Sequence, residues 1–226
     1  RAEQIGASLA VAGEDYRIER RADGWDLVAA DRVRRALPHP GMRGVVQIDN
    51  AAGALMALDC LSERLPVDQK AVRAGLLSAR LPGRFEVRPG RPTWVLDVAH
   101  NPQAAGALND ILGDYFTHGR VMAVCGMLDD KDAAGVARVL AGRFDAWHLV
   151  DLSSQPRGLA AKQLSERVSP ELADIPVSVG GGVDETLDKI LADAAEDDLV
   201  VVFGSFLTVA AAMVWLENSE SEAAKA

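Results

Sequence analysis

From Phe85 onward, short apolar runs alternate with longer stretches whose apolar residues recur at helical spacing. The runs near 94–98, 121–125, 146–150, 176–179 and 199–203 are expected to be buried strands. The stretches near 102–112, 132–142, 160–168, 183–195 and 206–217 are expected to be helices. This alternation predicts an α/β fold, a Rossmann-like, mostly parallel sheet with helices on both faces. Before Phe85 the pattern is weaker. Arg1–Ile5 is helix-like, while Ser8–Val11, Tyr16–Glu19 and Gly24–Val28 read as short antiparallel strands joined by polar turns. Pro38, Pro40, Gly41 and Gly44 mark a loop, followed by helices at about 51–63, capped by Asp49 or Asn50, and 68–79. Leu81-Pro82-Gly83-Arg84 breaks the periodicity and is the expected hinge. The expected organisation is therefore a domain over 1–81, a second over 82–217, and a polar, Ala-rich tail over 218–226, frayed or disordered. Because the first residue is not Met and a helix-like piece opens the chain, the sequence reads as a fragment or processed product.

Composition narrows the function classes. With 226 residues and 49% hydrophobic content the chain can bury a sizeable core. A net charge of −9 with dispersed Arg and Lys argues against a nucleic-acid partner. Cys60 and Cys125 lie among apolar neighbours and read as core residues of a reducing compartment, without a disulfide or metal site. No apolar run reaches membrane-spanning length, so a cytoplasmic protein with no membrane partner is expected.

The chemistry concentrates in Asp97-Val98-Ala99-His100-Asn101-Pro102, which joins a strand to a helix. Asn101 suits the N-cap and Pro102 the first helical position. Asp97 and His100 then stand at the carboxyl end of a strand, where open α/β sheets bind ligands; a plain capped turn with solvated side chains is the competing reading. Four further segments invite the same two readings. Asn50-Ala51-Ala52 opens a helix; Arg84 follows the hinge and offers a fork of donors to a polyphosphate. Lys131, one of five lysines, sits in Gly126–Asp132 after the second strand of the alternating region. Ser205, in Phe203-Gly204-Ser205-Phe206, is a natural N-cap at a helix start able to hold a carboxylate or phosphate. Taken singly each is more readily structural; together they lie at strand carboxyl ends or at the hinge, which favours a shared site. The sequence has no Gly-x-x-x-x-Gly-Lys-Ser/Thr, no dinucleotide fingerprint and no zinc spacing. Gly180-Gly181-Gly182 reads as a loop, His39 and His118 as surface residues, and Cys125 with His148 as core packing in preference to a nucleophile pair.

These segments, with Leu81–Phe85, Gly204–Val209 and Pro156-Arg157-Gly158, resemble in order and spacing the carboxyl half of folylpolyglutamate synthase, most closely the bacterial bifunctional form that is also a dihydrofolate synthase. The resemblance runs from about residue 40 to 216. It implies a Mur-type, ADP-forming acid–amino-acid ligase: ATP phosphorylates a substrate carboxylate, and the amine of L-glutamate displaces phosphate to form an amide. It implies ATP phosphates at Arg84, the ribose at Asp97, the terminal phosphate at His100 and adenine at Asn50. His100 and Lys131 become the catalytic candidates, and Lys131 with Ser205 the candidates for glutamate carboxylates. The implied cofactors are ATP and Mg2+; the implied partners are L-glutamate and dihydropteroate or a reduced folate, with a monomer as the default.

Leu207 stands where many family members carry Tyr or His, and Val98 where other branches carry Gly. By the same resemblance, residues 1–81 are the end of a central ATP-binding domain. The P-loop, the magnesium ligands, the modified lysine and most of the pterin site belong to an amino-terminal domain, so these 226 residues are expected to be inactive alone. A Mur-type ligase with a different acceptor, or a non-catalytic nucleotide- or amino-acid-binding module, are the rival expectations.

Overall fold

The computed structural model describes residues 2–44, 46–114 and 119–223, which excludes His118. The chain forms two compact units, residues 1–81 and 82–226.

The first unit opens with a single helical turn, α1 (Ala2–Ile5), followed by an antiparallel sheet of β1 (Tyr16–Arg21), β2 (Gly24–Ala29) and β3 (Val33–Leu37) in that order. Helices α2 (Val46–Cys60) and α3 (Gln69–Ser78) follow. Trp25, Leu27 and Leu37 from the sheet pack with Ile48, Ala52, Leu55, Val72 and Leu76 from the helices. The expected strand at Ser8–Val11 does not form: its apolar residues face no core, and only an isolated bridge joins Ala12 to Tyr16. Strand β3 escaped the sequence pattern because an arginine takes an inward position. Arg34 is buried and donates to Asp59 from Nη2 (2.5 Å). Burial opposes ionisation of Asp59, but Arg34 and Arg32 hold its carboxyl below the usual range. Helix α2 begins at Val46, earlier than expected, so Asp49 is a first-turn acid and neither it nor Asn50 is the N-cap. Cys60, the last residue of α2, is exposed rather than in the core.

The second unit contains β4 (Glu86–Arg88), β5 (Thr93–Leu96), α4 (Pro102–Asp114), β6 (Val121–Cys125), α5 (Ala133–Leu140), β7 (Ala146–Leu149), α6 (Ala161–Leu172), β8 (Val177–Val179), α7 (Val183–Asp193), β9 (Leu199–Phe203) and α8 (Phe206–Ala223). A 3-10 turn, Ala141–Arg143, finishes α5, α8 extends to Ala223, and 224–226 of the expected tail lie outside the described residues. The sheet order is β4-β5-β9-β6-β7-β8. β5, β9, β6, β7 and β8 run parallel, and β4 is an antiparallel edge.

Side chains alternate across this sheet as the pleat requires. Val95, Ala123, Leu149, Val201 and Phe203 join α4, α5 and α6 in one buried layer. Leu96, Val124, Val200 and Val202 join α7 and α8 in the other. The same alternation separates Cys125 from His148. Cys125 lies in the first layer with Trp147 and Leu149, so His148 points to the opposite face.

His148 accepts from or donates to Ser178 Oγ through Nδ1 (2.8 Å), and its Nε2 is buried without a partner among the described residues. Burial, helped by Arg120, lowers its pKa below the ordinary 6.5, while Asp193 opposes the shift. The unfolded chain therefore binds this proton more readily than the folded one, so the folded state loses stability as pH falls through 6.5. Urea midpoints measured between pH 7.5 and 5.5 are expected to fall for the wild type and to fall less for His148→Gln; equal slopes would remove His148 from the account.

Candidate functional site

Three loops leave the carboxyl ends of β5, β9 and β6, adjacent in the sheet although separated in sequence. Chain order passes from β5 to β6 and returns to fill the gap with β9, which makes this the switch point of the topology, the usual ligand position.

At the end of β5, Asp97 is not simply solvated. Its Oδ1 accepts from the Ala99 N–H and its Oδ2 from the Phe85 N–H, both at 2.8 Å. Burial pushes this carboxyl above its ordinary pKa, against the two N–H donors and the Arg84 charge. Asn101 caps α4 by accepting from the Ala104 N–H (2.8 Å), with Pro102 as the first helical residue. His100 Nδ1 lies 2.7 Å from the Val98 carbonyl oxygen. A carbonyl only accepts, so Nδ1 carries hydrogen and Nε2 is the nitrogen left for a ligand.

The turn carrying Arg84 is held from both sides. Gly83 donates to Glu86 Oε2 (3.0 Å), and its carbonyl accepts from the Val98 N–H (2.9 Å). Its φ of +68° and the approach of Val98 and Val209, 3.0 and 2.9 Å from where a Cβ would stand, require glycine. The following Arg84 is exposed, and Phe85, at φ 43°, is buried behind it.

A pocket of about 200 Å³ opens at the switch point, lined by His100, Leu128, Lys131, Arg157, Gly204, Ser205, Phe206 and Leu207. It brings His100, Lys131 and Ser205 together. Lys131 Nζ lies 2.9 Å from Asp130 Oδ2, and Arg157 Nη1 lies 3.5 Å from Asp130 Oδ1. The hydrogen bond from Lys131 holds the Asp130 carboxyl below the usual range. Ser205 is the N-cap of α8, accepting from the Thr208 N–H at 3.1 Å. Thr208 Oγ1 donates to the Gly126 carbonyl (2.9 Å), so the Ser205 hydroxyl hydrogen goes to Thr208 Oγ1 (2.8 Å). In this arrangement the Ser205 hydroxyl hydrogen is directed to Thr208, while the first-turn N–H groups of Phe206 and Leu207, which have no intrahelical acceptor, are free to donate to a ligand carboxylate.

Asn50 stands elsewhere, in the first unit. It is exposed on α2, donates to Gln47 Oε1 at 3.4 Å, and borders a largely apolar cavity of about 410 Å³ between α2 and α3. Arg157 is the pocket residue that motif reading named without assigning a role. Its place depends on a left-handed backbone (φ 63°), which no sequence periodicity signals. Cys125 is inert: burial raises its thiol far above the ordinary value. Among the described residues no group of His, Cys, Asp and Glu side chains is arranged to hold a metal ion, and no helix is long and apolar enough to cross a membrane.

Residues 83–206 match the family model of the Mur ligase, glutamate ligase domain. The chain belongs to this family. It is 37% identical to the dihydrofolate synthase/folylpolyglutamate synthase of Escherichia coli, across 97% of this chain and 49% of that protein. It is 30% identical to the Haemophilus influenzae protein of the same name, across 92% of this chain and 50% of that protein. The E. coli enzyme solved with DHPP and ADP superposes with a TM-score of 0.80 at 36% identity, covering 97% of this chain and 50% of that one. A bifunctional folylpolyglutamate synthase/dihydrofolate synthase solved with Mn, AMPPNP and L-glutamate bound gives 0.79 at 37% identity, covering 96% of this chain and 49% of that one. The chain thus spans about half the length of the relatives it matches.

Within this glutamate ligase domain Gly204 fixes the pocket floor. Its φ is +105°, and a Cβ there would stand 2.7 Å from the Gly126 carbonyl oxygen and 3.0 Å from Cys125 Sγ. Gly204→Ala is expected to cost at least about 2 kcal/mol, from backbone strain and the contact together. Gly106→Ala, inside α4 with open space around it, is expected to add about 0.5–1 kcal/mol. Urea denaturation of the two variants checks both; similar midpoints would contradict the assignment.

Proposed function

We propose that this chain is the glutamate-adding part of an ATP-dependent ligase that joins L-glutamate to dihydropteroate and to reduced folates. One observation carries the reading: a pocket at the sheet's switch point with two cations, a helix start and an imidazole nitrogen facing one small volume. In the reaction a carboxylate oxygen of the pterin substrate attacks the terminal phosphorus of ATP, and ADP leaves with the bonding electron pair. The amine of L-glutamate then attacks the acyl carbonyl. Phosphate leaves with the electron pair of the broken C–O bond, and the nitrogen gives up its proton to form the amide.

The chain's own groups suit parts of this sequence. His100 Nε2, freed by the bond from Nδ1 to Val98, is the proposed contact for the terminal phosphate. Arg84, exposed on a fixed turn, offers its guanidinium to the polyphosphate. Asp97 keeps one lone-pair direction on each oxygen beyond its backbone bonds, enough for ribose hydroxyls. Asn50 retains amide donor and acceptor capacity for adenine. Lys131 and the first-turn N–H groups of α8 take the glutamate carboxylates, with Ser205 shaping that helix start. Among the described residues the carboxylates form no metal-binding set, and Mg2+ is assigned to the part of the relatives' length that this chain does not cover. The sequence contains no P-loop, and the 226 residues alone are expected to turn over no ATP. The reading implies a monomer in the cytoplasm.

The test is ADP release by the full-length protein given MgATP, L-glutamate and either dihydropteroate or tetrahydrofolate. Release that needs both glutamate and a pterin is expected. Arg84→Ala should raise the KM for ATP by about 10- to 100-fold, the loss of a charge-assisted hydrogen bond. Release independent of glutamate or of any pterin would sink the proposal.

A further inference from the structure

We infer that Glu86 is a positioning residue for Arg84: its carboxylate fixes the turn that presents the guanidinium to a polyphosphate, an inference that rests on the Arg84 contact proposed above. The Arg84 side chain is exposed and has no hydrogen bond or ion pair among the described residues. A long side chain of that kind keeps its rotamer freedom, so its fork of donors gains nothing from its own side-chain neighbours. Whatever orders Arg84 before a ligand arrives acts through its backbone.

That backbone is left-handed on both sides of Arg84, with φ +68° at Gly83 and 43° at Phe85. Phe85 is not glycine, and such a conformation persists only where the surroundings impose it. The Phe85 ring is buried in the layer that holds Val95 and Phe203. The Phe85 N–H donates to Asp97 Oδ2 (2.8 Å), and the Gly83 carbonyl accepts from the Val98 N–H (2.9 Å). Glu86 Oε2 accepts from the Gly83 N–H at 3.0 Å and closes the turn around Arg84. Of these groups, Phe85 belongs to the core, Val98 contributes its backbone, and Asp97 has a proposed ribose contact of its own. Glu86 is the side chain whose part in the site is to hold the turn.

The strand gives Glu86 its aim. β4 pairs antiparallel with β5, Glu86 opposite Leu96, Val87 opposite Val95 and Arg88 opposite Trp94. Residues paired across a ladder share a face. Val87 therefore joins the layer of Val95, while Glu86 and Arg88 lie on the other face with Leu96 and Trp94. There Arg88 Nε donates to Glu86 Oε1 (2.7 Å). With one oxygen on Arg88 and the other on the Gly83 N–H, the carboxylate cannot rotate away without breaking a charge-assisted bond. Arg88 has a second effect. A lone carboxylate so close in the chain to Arg84 would repel the anion that Arg84 is to hold, and the ion pair with Arg88 cancels that charge. This gives a reason for the two charged residues of β4, whose partners across the ladder are all apolar.

The experiment is steady-state kinetics of the full-length enzyme with MgATP, L-glutamate and tetrahydrofolate. An unchanged KM for ATP in Arg84→Ala would fail the Arg84 contact itself, a result separate from those of the Glu86 variants. Glu86→Met keeps the length of the side chain on β4 and removes the acceptor; Glu86→Ala removes both. Each is expected to raise the KM for ATP by about 3- to 10-fold, the loss of one hydrogen bond, with kcat and the KM for L-glutamate within about twofold. Glu86→Gln keeps an oxygen for the Gly83 N–H and is expected to stay within about twofold of the wild type. Added to Arg84→Ala, Glu86→Met should change the KM for ATP by less than about twofold, because it acts through the missing guanidinium. Glu86→Met and Glu86→Ala enzymes with an unchanged KM for ATP, or the same rise with and without Arg84, would overturn the inference. So would a Glu86→Gln enzyme as impaired as Glu86→Met.

Discussion

The second unit depends on the placement of β9. Its five residues, Leu199–Phe203, are all buried and hydrogen-bond to β5 on one side and β6 on the other. Val200 pairs with both Trp94 and Met122, and Val202 with both Leu96 and Val124. This strand comes last among the described strands and is one of the two central ones, so the gap that the chain leaves between β5 and β6 is filled only when β9 inserts. Once filled, the three loops that carry His100, Ser205 and Lys131 have no freedom to separate. The pocket is a consequence of strand order, and the β7 loop reaches it only because a left-handed turn is tied across.

Polar groups do the finer positioning, and most of them are already engaged. Asp97 receives two backbone N–H groups from different loops. Thr208 joins α8 to the Gly126 carbonyl and takes the Ser205 hydrogen. Asp130 sits between Lys131 and Arg157. Such preorganisation leaves few free donors in the pocket, which narrows what each can do: His100 through Nε2, α8 through its first-turn N–H groups, and the cations through their remaining hydrogens. A dicarboxylate fits that inventory better than a neutral ligand does.

The sequence revealed the second unit well because its strands are apolar on both faces and its helices are periodic. The motifs at strand ends followed, since Asn101-Pro102 and Ser205 announce helix starts that the structure contains. The failures have physical causes. β4 holds one apolar residue among Glu86, Val87 and Arg88, and is a strand only through its pairing with β5. β3 hides behind inward-facing Arg34. Asn50 resembles a cap because Asn and Asp often are caps, but α2 had already begun at Val46. Arg157 was reached only through the resemblance of its segment, because its place at the pocket comes from a backbone angle and a partner in another loop. Ser205 was legible as a cap, whereas the direction of its hydroxyl hydrogen depends on Thr208, which lies one turn on, and on Gly126, which lies in a distant segment.

The central claim is that the pocket at the carboxyl ends of β5, β9 and β6 is where L-glutamate binds. Amide chemical-shift mapping of the chain titrated with L-glutamate addresses it directly. The account predicts shifts concentrated at Lys131, Arg157, Phe206 and Leu207, with none around the cavity between α2 and α3. Shifts confined to that cavity, or none at any glutamate concentration, would contradict it.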